Sequence, residues 1–235
     1  MSREVYNGLT TTLLFGSLVA LGLAAAYLIA GIVGWRGPYR KQRLFRFGIC
    51  LAAFPICVAV QQSLLYHVYL PRLGRATKRI IKERHYASSI VQVGDQAPSF
   101  SLTDTDGRDF VLDDLRGKVI LVNFFATWCG PCLLELPHVQ EIWDKHHNNS
   151  QFALIVIGRE EATEIVSEFR LKQGYTFQMA PDPERIAYSL YASELIPRTY
   201  LIGADGKICF SSAGFDEEEL AALKSEVARQ LRSIR

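Results

Sequence analysis

Cysteine is scarce and odd in number: five in 235 residues, too uneven for a framework of structural disulfides. Only one C-x-x-C pair occurs, Cys129 and Cys132. No second pair is present to complete a four-ligand zinc site, and His138, His146 and His147 follow at spacings that do not supply the missing ligands. No metal is therefore expected. Glycine-rich fingerprints for a nicotinamide or flavin are also lacking, so electrons would have to come from another protein. The C-terminal part has no Lys/Arg stripe interleaved with aromatics, which argues against nucleic acid. Charge of either sign is missing from two long stretches, the 27 residues from Leu9 to Trp35 and the 24 from Phe47 to Leu70. Each exceeds the roughly 20 apolar residues that cross a bilayer.

The formal net charge of +2 hides a division. Residues 1–92 hold twelve Lys/Arg against two Asp/Glu, and residues 93–235 hold fourteen against twenty-two. A basic front flanking apolar runs suggests contact with a lipid bilayer. The expected organisation is a membrane anchor over 1–70, with transmembrane helices at about 9–35 and 47–70, a basic connector over 71–92, and a domain over 93–235. The competing reading makes the two runs buried helices of a soluble protein. The first run is too long, and lacks the basic leader and small-residue site, for a removed signal peptide. Five basic residues lie in the turn between the runs and seven flank them, so the positive-inside rule leans slightly against an exported domain.

The informative segment is Trp128-Cys129-Gly130-Pro131-Cys132, directly after the apolar run Val119 to Phe125. A helix beginning near Cys129 points unpaired N–H groups and the positive end of its dipole at that sulfur. A thiolate there is stabilised, and the thiolate is the nucleophile. Cys132, one turn on, is within reach to resolve a mixed disulfide. Pro131 suits a first turn, where no N–H is needed. A zinc half-site and an inert structural disulfide are the alternatives. Cys50 and Cys57, seven residues apart in the second run, sit roughly 10 Å apart along a helix, too far to pair. They read as small residues at a helix contact or as an electron relay. Cys209 alternates with apolar neighbours in a predicted strand and reads as a buried, inert thiol.

Elsewhere in 93–235 the pattern alternates strands and helices. Phe100–Leu102 and Phe110–Leu112 flank Asp106-Gly107 as a hairpin, and Val119–Phe125 and Phe152–Ile157 read as buried strands. Helices are predicted after Cys129 (Leu133, Leu136, Val139 and Ile142 in register, Pro137 a kink), over Glu160–Gln173 with Ile165, Val166 and Phe169 inward, over Pro183–Tyr191, and over Asp216–Ile234. Thr199–Ile202 and Lys207–Phe210 flank Asp205-Gly206 as a second hairpin. The order β-α-β-α-β-β-α behind an added N-terminal hairpin is an α/β fold, a mixed central sheet flanked by helices.

Val93-Gly-Asp-Gln-Ala-Pro98, Leu115-Arg-Gly-Lys118, the run into Cys132, and Ile196-Pro197-Arg198-Thr199 together resemble the TlpA/ResA branch of membrane-anchored thioredoxin-like proteins, over residues 93–235 only. The resemblance implies a thioredoxin-like fold and a thiol–disulfide oxidoreductase with no bound cofactor beyond the Cys129–Cys132 disulfide. It makes Cys129 the attacking and Cys132 the resolving thiol, and Pro197 a cis-proline that brings Ile196 to the sulfurs. Trp128, Gly130, Pro131, Ile196 and Pro197 then contact substrate. Glu135 matches an acidic residue beside the site in ResA-like members, able to exchange a proton with Cys132; the alternative is a solvated helix-face glutamate. Asn123 stands where cytosolic thioredoxins carry a buried aspartate. Substrates would be cysteine-containing proteins, with cytochrome c maturation as one setting, a separate membrane protein as electron donor, and an extracytoplasmic domain. A peroxiredoxin-like peroxidase shares the leading segment and Thr127-x-Cys129, but the proline its signature requires before the threonine is missing. A non-catalytic assembly factor retaining the fold is the other alternative.

Overall fold

A computed structural model describes residues 41–42, 55–56 and 58–234. The chain divides into two compact units, Met1–Arg79 and Ile80–Arg235. The expected span over 9–35 lies outside the described residues, as do Cys50, Cys57 and residues 47–54 of the second run. In the first unit a π-helical turn, Leu65–Tyr69, leads into helix α1, Leu70–Ser88, whose half from Ile80 onward belongs to the second unit. Ile56, Val58, Val60 and Leu64 are exposed there. Among the described residues no helix is long and apolar enough to cross a membrane.

The second unit is built on strand β3, Val119–Phe125, in which every residue is buried. It pairs in parallel with β4, Phe152–Arg159, and antiparallel with β6, Arg198–Ile202. Side chains alternate across a strand, so Val119, Leu121 and Phe125 face one way and Ile120, Val122 and Phe124 the other. The first set packs against Leu136, Val139 and Ile142 of α2, Gly130–His146, and against Leu223, Val227 and Leu231 of α5, Glu217–Ser233. The second set meets Tyr188 and Tyr191 of the short helix α4, Tyr188–Tyr191, and Phe100 and Phe110 of the leading hairpin. Helices thus cover both faces of a central strand, which is why its sequence is a continuous apolar run.

That hairpin is β1, Ser101–Thr103, with β2, Asp109–Val111, paired antiparallel around Asp106-Gly107; Leu112 passes into a 3₁₀ turn, Leu112–Leu115. Helix α3, Thr163–Gln173, closes on Gly174 at φ 72°, whose N–H reaches back to the Arg170 carbonyl at 3.0 Å. Strand β7, Ile208–Ala213, completes the second hairpin.

Several expectations need correction. The sheet has five strands in the order β5-β4-β3-β6-β7, because Gln178–Asp182 forms β5, parallel to β4. Pro181 masks it in the sequence, and an edge strand tolerates a proline. The helix expected over Glu160–Gln173 begins only at Thr163, since Glu160 takes φ 62°. Ile165 and Leu133 point outward, 49% and 41% exposed. The helix expected over Pro183–Tyr191 shrinks to its last turn. Residues 80–92, read from the sequence as connector, fold with the domain: Ser88 and Ser89 are bound by the fully buried Arg198.

Candidate active site

Strand β3, the middle strand of the sheet, delivers the chain to Ala126 just past its C-terminal end, and α2 begins four residues later. Cys129 is the N-cap of α2, with extended φ and ψ of −84° and 104°. Its sulfur accepts the Cys132 N–H at 3.3 Å, the role a serine or aspartate oxygen usually fills. Gly130 and Pro131 occupy the first turn. Cys129 Sγ and Cys132 Sγ are bonded to one another, with Cα atoms 5.3 Å apart, so this is the oxidised form. Cys132 is fully buried and Cys129 nearly so, whereas Trp128 is 68% exposed. Gly130 and Pro131 are exposed and Ile196 is half-buried, which leaves a rim of small and apolar surface around the outer sulfur.

The second wall is the loop before β6. The Ile196–Pro197 peptide is cis, and the Ile196 carbonyl oxygen lies 3.7 Å from Cys129 Sγ. Tyr188 Oη donates to the Leu195 carbonyl at 2.7 Å, supporting a residue at φ 71°.

Beneath the disulfide a polar cluster interrupts the apolar face. Asn123 of β3 is in register with Thr199 of β6, and Glu135 lies above them on α2, one turn beyond Cys132. Glu135 is 5% exposed, not the solvated residue its helix position allowed. Asn123 Nδ2 donates to Glu135 Oε2 at 2.9 Å, and Thr199 Oγ1 donates to Oε1 at 2.9 Å. Burial pushes the carboxyl up to about 7, with the negative charge of Glu219 adding to it, while the two hydrogen bonds pull the other way. Desolvation wins because two neutral donors do not replace the hydration of a carboxylate. Among the described residues the buried Asn123 Oδ1 atom has no hydrogen-bond partner.

Glu161 was not singled out by sequence reasoning. It is 5% exposed, and its carboxylate accepts the Thr127 N–H at 2.9 Å and Thr127 Oγ1 at 2.5 Å. The link spans 34 residues, and the only local hint was the pair Glu160-Glu161 just after a buried strand. Holding Thr127 fixes the turn that presents Cys129. Glu161→Ala is expected to lower stability by about 3 kcal/mol, as loss of charge-assisted bonds does. Glu161→Gln, which keeps an acceptor, should cost less than half as much by urea denaturation. Cys209 is not brought to the site: it lies on β7, donates to the Leu201 carbonyl at 3.3 Å, and burial beside Glu226 pushes its thiol up to about 12.

A disulfide at a helix N-terminus, facing a cis-proline loop, over a buried carboxyl, agrees with what comparison with known proteins returns. Residues 92–231 match the family model described as Redoxin. The chain belongs to the redoxin family. Within it, the thiol-disulfide oxidoreductase ResA of Bacillus subtilis is 32% identical over 170 residues, 72% of this chain and 84% of that protein. ResA of Bacillus thuringiensis is 32% identical over 129 residues, covering 55% and 74%. Among solved structures, a Bacteroides thetaiotaomicron protein assigned as a disulfide isomerase superposes with a TM-score of 0.60 at 38% identity, over 62% of this chain and 93% of that one. A Chlorobium tepidum protein assigned as the thiol:disulfide interchange protein DsbE gives 0.56 at 28%, over 60% and 99%. This redoxin is thus a thiol–disulfide oxidoreductase of the ResA/DsbE type with a thioredoxin-like fold, and the Cys129–Cys132 pair is in place for it.

Proposed function

We propose that this redoxin is a membrane-anchored reductase of disulfides in other proteins, with its domain on the extracytoplasmic side. The observation that supports it most directly is the Cys129 sulfur standing as the N-cap of α2. On reduction, a thiolate there takes the Cys132 N–H and the helix dipole as its counter-charge. It attacks one sulfur of a substrate disulfide, and the other sulfur leaves as a thiolate. Cys132 then gives its proton to Glu135 and attacks Cys129 Sγ, and the substrate's first sulfur leaves as a thiolate that takes that proton back from Glu135. Two electrons have passed to the substrate, and the domain is left oxidised. Two electrons from a separate membrane donor restore it. Trp128, Gly130, Pro131, Ile196 and Pro197 form the substrate surface, with the Ile196 backbone available for strand-like pairing. Gly-Pro between the cysteines is the dipeptide of thioredoxin, a reducing protein, and disulfides awaiting haem attachment in cytochrome c maturation are one substrate class.

Anchoring rests on the two uncharged runs, 9–35 and 47–70, and on the basic excess of residues 1–92. The test has two arms. The full chain in detergent, supplied with dithiothreitol, should reduce insulin, and its reduced Cys129 should react with a membrane-impermeant maleimide in intact cells. Inertness toward insulin would sink the reductase; labelling only after permeabilisation would move the domain to the other side.

A further inference from the structure

Arg198 directly follows the cis-proline and is fully buried, which is rare for an arginine. Among the described residues no carboxylate pairs with it. Its partners are all neutral oxygens. The guanidinium donates to the Glu194 carbonyl at 3.2 Å, the His85 carbonyl at 3.3 Å, Ser88 Oγ at 2.5 Å, Ser89 Oγ at 2.7 Å and Tyr200 Oη at 3.3 Å. Three of these belong to the last turn of α1 and the residue after it. A helix C-terminus carries unpaired carbonyls and the negative end of the dipole, so α1 supplies in dispersed form the counter-charge that a carboxylate would otherwise give.

The alternation of β6 explains how one strand serves two purposes. Thr199 points to the α2 face and binds Glu135. Arg198 points to the opposite face and binds α1. Between them and the sulfurs lies Pro197, and the same segment is pinned by backbone bonds from Ser193 N–H to the Ser88 carbonyl at 2.9 Å and from Ile90 N–H to the Tyr191 carbonyl at 3.0 Å. The loop whose Ile196 carbonyl stands 3.7 Å from Cys129 Sγ is therefore held from behind by the end of α1.

We infer that Arg198 is a positioning residue for substrate recognition: by clamping the end of α1 to the loop Glu194–Pro197, it sets the backbone edge on which a protein disulfide docks. The inference rests on the oxidoreductase reading and adds the part of the chain that shapes its substrate surface. A small disulfide needs only the sulfur, whereas a protein substrate needs the edge as well. Loosening the clamp should separate the two.

The test compares the full chain in detergent with Arg198→Met, Arg198→Lys and the double variant Ser88→Ala/Ser89→Ala. The double variant keeps the arginine and removes two acceptors, and it answers the question if Arg198→Met does not fold. For Arg198→Met, KM for insulin should rise about tenfold, the equivalent of one charge-assisted hydrogen bond. Its kcat, and the rate of the reduced enzyme with 2-hydroxyethyl disulfide, should stay within about twofold. Lysine, which keeps the charge without the fork, should recover part of the loss, and the serine double variant should shift KM in the same direction. An unchanged KM in folded Arg198→Met, or an equal loss toward insulin and the small disulfide, would overturn the positioning role alone. Wild-type protein inert toward both disulfides would sink the reading of the whole site with it.

Discussion

Cys132→Ser is expected to turn the catalyst into a trap. With Cys129 still the N-cap of α2 and its sulfur still facing the Cys132 backbone N–H, the first thiolate attack proceeds. The mixed disulfide then has no second sulfur to resolve it. Insulin turnover should fall by at least about a thousandfold, the scale of losing one member of a catalytic set. A covalent adduct that survives denaturation and yields to dithiothreitol should accumulate in its place. Cys129→Ser loses turnover as completely and yields no adduct, because the remaining thiol is fully buried. The asymmetry between the two variants is the diagnostic: the exposed Trp128 rim surrounds one sulfur and the core surrounds the other. Adducts of equal yield from both variants would contradict the assignment of attacking and resolving roles. Mass spectrometry of the trapped species also identifies the partner when the variant is expressed in cells.

The parts of the fold that were legible in the sequence are those set by local pattern. Strand β3 announces itself as seven apolar or amide residues between Lys118 and the motif, since burial on both faces permits little else. The start of α2 is fixed by what a helix N-terminus requires, and Asp216, which accepts the Glu218 and Glu219 N–H groups, marks α5 by the same rule. What could not be read depends on the third dimension. Strand β5 contains a proline and a glutamine and exists because β4 offers an unpaired edge. Glu161 has little local signature beyond its place just after a buried strand, since its partner Thr127 becomes adjacent only after β4 is laid beside β3. Arg198 would be assigned to the surface by composition, and it is buried because the end of α1 happens to present oxygens there. Glu135 fell between these cases. Its spacing from Cys132 was visible, but its burial depends on Asn123 and Thr199 meeting across two antiparallel strands. Alternation predicts that each faces one side or the other, not that both face the same carboxyl.

Glu135→Gln is expected to change both catalysis and the pH dependence of stability, and the second effect carries its own control. Glu135 titrates near 7 in the folded protein against an ordinary 4.5. Between those values the folded state binds the extra proton, so stability falls as pH rises from 4.5 to 7, by about 3 kcal/mol in all. His85 does the reverse. Desolvation, then Arg198 and Lys82, push it down to about 4 from 6.5. The unfolded chain binds the extra proton in that window, and stability rises with pH from 4 to 6.5 by a similar amount. In the wild-type oxidised domain the two slopes oppose each other. Glu135→Gln should unmask a stability that climbs with pH across 4 to 6.5, and His85→Gln one that declines across 4.5 to 7. Both are read as shifts in the urea midpoint, and other carboxylates cancel in the comparison. The glutamine is also well received, because a rotated Asn123 amide brings its unpaired Oδ1 to the new Nε2 hydrogens. Stability at pH 8 should therefore hold or rise while insulin turnover drops by about a hundredfold, the usual contribution of one general base. Loss of turnover without loss of stability separates a proton-transfer role from a packing role. A wild-type pH profile that already climbs from 4 to 6.5 as steeply as that of Glu135→Gln would mean the carboxyl is ionised throughout and does not exchange a proton with Cys132.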